Sequence, residues 1–83
     1  MTAQPTTTKF HDFIQESDVP VLVDFFADWC GPCHMLSPIL KELKSAWGDK
    51  IRLIKVDTEA HPEIAREFQI SGIPTLILFK NGQ

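Results

Sequence analysis

The apolar positions of this chain alternate between two periods. Phe10, Phe13 and Ile14 fall at i, i+3 and i+4, which predicts a short amphipathic helix from about Thr8 to Glu16. Asp18 to Pro20 breaks it. Val21-Leu22-Val23-Asp24-Phe25-Phe26-Ala27 is a β-branched and aromatic run of strand length. Its near-continuous apolarity fits a central strand buried on both faces. Leu36, Leu40, Leu43 and Trp47 then mark one buried face of a longer helix. Pro32 suits the first helical position and Gly48 a stop, while Pro38 lies inside the pattern, where it predicts a kink. Ile51 to Asp57 reads as a second strand. Pro62 to Gln69 reads as a short helix with Ile64, Ala65 and Phe68 inward, and Thr75 to Phe79 as an all-apolar strand. Residues 1–8 carry four threonines and Pro5 and predict at best a frayed edge strand. Helices alternating with buried strands predict an α/β sheet with crossover connections. One domain, residues 1–83, accounts for the whole chain, without repeat or linker.

Composition narrows the function. At 43% hydrophobic and 23% charged residues the chain is globular rather than disordered. The longest apolar runs fall far short of the about 20 residues a membrane span needs. The N-terminus has no basic flank or apolar stretch of the secretory kind, so a cytoplasmic location is expected. A net charge of −3 argues against nucleic acid as a partner. Two cysteines make no disulfide framework, but they can make one chemical site.

Cys30 and Cys33 are three apart where the first strand gives way to the long helix. In a first helical turn such side chains are neighbours, about 5–6 Å between Cβ atoms, so a disulfide can open and close with little backbone movement. The positive end of the helix favours thiolate over thiol. Cys30, beyond the turn, is then the attacking sulfur, and Cys33, shielded within it, resolves the mixed disulfide. The same pair could be two inert small hydrophobes, or half of a zinc site with His34 as a third ligand. Asp24 is the other conspicuous residue. A carboxylate inside a buried strand is costly, and burial raises its pKa; the alternative is a locally wet strand face. Lys55 alternates with Ile54 and Val56 and could simply snorkel to the surface.

Trp29-Cys30-Gly31-Pro32-Cys33 resembles the active-site motif of the thioredoxin family. The likeness extends to Val21-Leu22-Val23-Asp24-Phe25, Pro38, Lys55-Val56-Asp57, Gly72-Ile73-Pro74-Thr75 and Phe79-Lys80-Asn81-Gly82, in that order along the chain. It implies a thioredoxin fold, a central mixed sheet flanked by helices. It also implies a thiol–disulfide oxidoreductase of the reducing type, for which Gly31 and Pro32 set the redox character. No cofactor is implied beyond the cysteine pair. The implied partners are protein disulfides and a thioredoxin reductase. By resemblance Asp24 lies beneath Cys33 and takes its proton, and Lys55 approaches Asp24. Pro74 is expected to be cis by the same resemblance, although only about 5–6% of X–Pro bonds are. Ile73 would then pair with an extended substrate segment, with Gly72 leaving room and Trp29 at the rim of the contact patch. Trp47 is expected in the core. His34 departs from the lysine or arginine common after the second cysteine; it either tunes the thiols with pH or is merely solvated. His11 and His61 are expected at the surface or as caps, and Asp28 and Asp57 are given no chemistry.

Two other functions compete with disulfide reduction: a non-catalytic binding module that keeps the fold, and a zinc knuckle. Asn81-Gly82 after an apolar strand is a strong hairpin signal, and the sequence given stops there. The expectation is a C-terminally shortened fold whose last strand is an open edge. Such a chain would self-associate through that strand, be marginally stable as a monomer, or be a short form of a longer product.

Overall fold

The computed structural model describes residues 7–83. Helix α1 spans Thr7–Glu16, strand β1 Val21–Phe26, helix α2 Gly31–Trp47, strand β2 Arg52–Asp57, helix α3 Pro62–Glu67 and strand β3 Thr75–Phe79. A 3-10 turn, Gly48–Lys50, joins α2 to β2. The sheet order is β2-β1-β3, with β1 parallel to β2 and antiparallel to β3. The sheet is therefore mixed and the α/β class stands. The N-terminal edge strand falls mostly outside the described residues, but Thr7 and Thr8 already belong to α1, not to a frayed strand.

Alternation along β1 divides the molecule. Val21, Val23 and Phe25 face the α1 and α3 side, where they form the main core with Phe10, Ile14, Val56, Ile64 and Phe79. Phe68 lies against the Phe10, Phe25 and Phe79 rings with centroids 5.4–6.1 Å apart. Such offset ring pairs add about 0.5–1.5 kcal/mol each to the burial itself. Phe13 sits at the flank of the α1 stripe, 38% exposed, beneath the Arg52 guanidinium at 5.4 Å. The opposite face of β1 carries Leu22, Asp24 and Phe26 toward α2.

On that second face the α2 stripe is only partly covered. Of the α2 stripe, Leu40 is buried but Trp47 is 52% exposed, so Trp47 is not a core residue. Its helical phase is right. It is, however, the last residue of α2, and it rims an apolar groove with Leu22, Leu43 and Leu78. In β3, Leu76 and Leu78 are 42% and 51% exposed, while Phe79 enters the core. A strand at the edge of a three-stranded sheet is covered only where a helix reaches over it.

Local signals did set the element ends. Cys30 caps α2 and accepts a hydrogen bond from the Cys33 N–H, and Pro32 lies in the first turn, after Gly31. Helix α2 runs through Pro38 without ending and closes at Gly48, whose φ of 56° is a left-handed value that glycine adopts cheaply. Lys44 seals that end by donating to the carbonyls of Gly48 and Ile51 at 2.7 and 2.8 Å. The hairpin turn also forms. Asn81 and Gly82 have φ of 55° and 81°, and Lys80 and Gln83 exchange both backbone hydrogen bonds at 3.1 Å. Among the described residues no helix is long and apolar enough to cross a membrane.

Candidate active site

The site lies where β1 ends and α2 begins. Ala27 is fully buried, Asp28 and Trp29 turn outward, and Cys30 starts the helix. Cys30 and Cys33 form a disulfide with Cα atoms 5.3 Å apart, within the ordinary range for the bond. The first turn of α2 is held by Cys30 N–H to the Ala27 carbonyl at 3.1 Å and His34 N–H to the Cys30 carbonyl at 3.3 Å.

An open Cys30 above a shielded Cys33 is not what the exposures give. The two residues are 4% and 3% exposed, because Phe26 and Ile73 pack over the pair together with Ala27. The asymmetry lies in the backbone instead. The Cys33 N–H donates to Cys30 Sγ at 3.2 Å, at the positive end of α2. Both effects favour negative charge on Cys30 once the disulfide opens.

Asp24 is completely buried, and neither of its carboxylate oxygens has a hydrogen-bond partner. It shares its face of β1 with Phe26, which packs on the disulfide. Burial pushes its carboxyl above the ordinary value, and the Lys55 charge partly opposes that rise. Lys55 is the register neighbour of Asp24 on β2. Its ammonium donates to Ser37 Oγ at 3.0 Å and lies 4.9 Å from the centre of the Phe26 ring. The side chain is exposed, with its tip bonded to α2.

The loop before β3 completes the site. The Ile73–Pro74 peptide bond is cis, and Thr75 Oγ1 donates to the Gly72 carbonyl. A Cβ at Gly72 or Gly31 would meet nothing within 4 Å, so both glycines face open space beside the cysteines rather than packed neighbours. Trp29 is 69% exposed and its indole N–H donates to Glu59 Oε2 at 2.6 Å. Together with Thr58, Ile70, Gly72 and Ile73 it lines a shallow groove. Trp29, Gly72 and Ile73 therefore share one surface, next to Cys30 and Cys33.

Several contacts had no sequence signal. Glu59 bonds Trp29 and Ser37 receives Lys55. Each is a polar residue among many, and its partner lies 30 or 18 positions away. Asp57 accepts from the Glu59 and Ala60 N–H groups and so shapes the turn after β2. His34 Nε2 is 2.7 Å from the Asp28 carbonyl, tying the helix start to the preceding turn rather than facing the sulfurs. His11 pairs with Glu67, and His61 sits at the α3 start without a side-chain cap bond. Among the described residues no group of three His, Cys, Asp or Glu side chains converges as a metal site would require.

Comparison with known proteins places this arrangement. A family profile described as Thioredoxin matches residues 1–83. The chain is 49% identical over 78 residues to the chloroplastic thioredoxin Y of Oryza sativa subsp. japonica, covering 94% of this chain and 46% of that protein. It is 47% identical over 81 residues to thioredoxin 1 of Nostoc sp., covering 98% and 76%. Mitochondrial thioredoxin 3 from Saccharomyces cerevisiae, in its oxidised form, superposes with a TM-score of 0.85 at 41% identity, covering 92% of this chain and 70% of that one. The chain thus spans about half the length of the chloroplastic relative and three-quarters of the bacterial one. With a family profile matched over its whole length and a bacterial relative 47% identical over three-quarters of that protein, the chain belongs to the thioredoxin family.

Proposed function

We propose that this protein is a thiol–disulfide oxidoreductase of the reducing type, an electron carrier that reduces protein disulfides. The observation that carries the reading is the Cys30–Cys33 disulfide at the start of α2, with a backbone N–H aimed at the Cys30 sulfur. In the reduced state the Cys30 thiolate attacks one sulfur of a substrate disulfide. A Cys30–substrate bond forms and the first substrate thiolate leaves. Cys33 then gives its proton toward the Asp24 carboxylate and attacks Cys30 Sγ. The mixed disulfide breaks, the Cys30–Cys33 bond forms and the second substrate sulfur leaves as thiolate. Two electrons pass from the cysteine pair to the substrate, and each thiolate takes its proton from water. No cofactor beyond the pair enters this scheme.

The remaining roles follow from position. Lys55 supplies positive charge beside Asp24. The backbone at Ile73, after open Gly72 and before cis Pro74, pairs with an extended substrate segment, as in short strand addition. Trp29, braced by Glu59, forms the rim of that contact, and Gly31-Pro32 fixes the turn between the sulfurs. We take residues 1–83 as one working domain. Family membership supports a thioredoxin reductase as the source of electrons, in a reducing compartment such as the cytoplasm. A purely binding role is not favoured by a cysteine pair at disulfide distance.

An insulin-disulfide reduction assay with dithiothreitol as the electron source tests the reading. Wild type is expected to accelerate insulin precipitation well above the dithiothreitol background, and Cys30→Ser to fall to that background. Equal inertness of the two proteins sinks the proposal.

A further inference from the structure

Ser37 lies one turn beyond Cys33 on α2, and its hydroxyl accepts from Lys55 Nζ at 3.0 Å. The same ammonium lies over the Phe26 ring, and Phe26 packs on the disulfide. Lys55 is the strand neighbour of Asp24, yet neither Asp24 oxygen is hydrogen-bonded. The lysine charge therefore stands near the buried carboxylate while its bond goes to the helix. An unanchored lysine would spread over its rotamers, which carry about 2 kcal/mol of entropy, and would place its charge in water much of the time.

We infer that Ser37 is a positioning residue for the resolving step: its hydroxyl pins the Lys55 ammonium over Phe26, at a set stand-off from Asp24. It thereby governs how readily that carboxylate accepts the Cys33 proton. This rests on the reading of Asp24 as the proton acceptor. Other charges do not compete for the role. The β3 neighbour of Asp24 is Leu76, which is apolar. On α2, Lys44 is engaged by the Gly48 and Ile51 carbonyls, the His34 ring by the Asp28 carbonyl, and Lys41 and Glu42 are exposed. Cys30 and Cys33 are bonded to each other and do not titrate in the oxidised protein.

The sign follows from Coulomb's law. A cation held nearby favours the ionised carboxylate, so releasing Lys55 into water moves Asp24 titration upward. The experiment is a ¹³C NMR titration of the Asp24 carboxyl in the oxidised protein, where no thiol interferes. Ser37→Ala is expected to raise the midpoint by on the order of 0.5 pH unit. Lys55→Met is expected to raise it further, Ser37→Thr, which keeps a hydroxyl, to leave it near wild type, and Ser37→Ala added to Lys55→Met to change nothing more. An unmoved or lowered midpoint in Ser37→Ala overturns the inference. So does failure of the threonine to rescue, or an equal Ser37→Ala shift in the Lys55→Met background. The titration needs no substrate, so loss of insulin reduction by wild type would strike the proposed function separately.

Discussion

Cys33→Ser is expected to turn the protein into a trap. Mixed with insulin or another disulfide protein, it should accumulate a covalent adduct through Cys30, visible on non-reducing gels and released by dithiothreitol. Cys30→Ser should form no comparable adduct, although it also keeps one thiol. The difference follows from the first turn of α2. The Cys33 N–H points at Cys30 Sγ, and the helix places its positive end there, so the thiolate is expected on Cys30. Residue exposure does not discriminate, since both cysteines are almost entirely buried in the oxidised form. The prediction thus tests the electrostatic asymmetry itself. Adducts of similar yield from both single-cysteine variants would show that the asymmetry is unimportant.

Asp24→Ala is expected to slow the reaction and strengthen the fold. With Asp24 in the proposed role of proton acceptor, its loss should slow resolution of the mixed disulfide by roughly 10²-fold, the low end of what a positioned base contributes. Stability should move the other way, and only at the right pH. The unfolded aspartate ionises near about pH 3.9; in the fold burial raises that value, with Lys55 opposing it in part. Below pH 3.9 the carboxyl is neutral in both states and its burial costs little. As pH rises, the unfolded state ionises first while the folded state keeps its proton. Stability is therefore lost progressively until pH passes the raised folded value. The variant has no such term. It should exceed wild type by on the order of 2 kcal/mol at pH 8, and the advantage should shrink toward zero by pH 4. Urea unfolding of both proteins at the two pH values checks this. An advantage that is absent at pH 8, or equal at both, would mean that the carboxylate is stabilised in some other way.

How much of this was legible in the chain varies with distance. Asp24 stood out because a single charge interrupts an otherwise apolar strand, and the cysteine pair because its spacing matches one helical turn. Helix ends at Gly31 and Gly48 and the Asn81-Gly82 turn were readable because their causes are local: a cap, a proline, a glycine at positive φ. The cis state of Pro74 was legible only through the family resemblance, since the local X–Pro preference is trans. What escaped depends on how α2 lies across the sheet. Periodicity placed Trp47 on the correct helical face, yet could not show that this face ends at a groove. The apolar run of β3 showed a strand apolar on both sides, yet not which side is open: Leu76 and Leu78 lie there, while Phe79 enters the core. The Lys55–Ser37 and Trp29–Glu59 bonds join residues whose types carry no signal apart from their partners.

The central claim is that one cysteine pair hands two electrons to a substrate disulfide. It is tested most directly by a single turnover without added reductant. Protein fully reduced and freed of dithiothreitol is mixed with excess insulin, and products are read by thiol assay and mass spectrometry. The expected result is one insulin disulfide opened per molecule of protein, with the protein recovered two hydrogens lighter as the Cys30–Cys33 disulfide. Recovery of the protein still as a dithiol, with insulin intact, would contradict it.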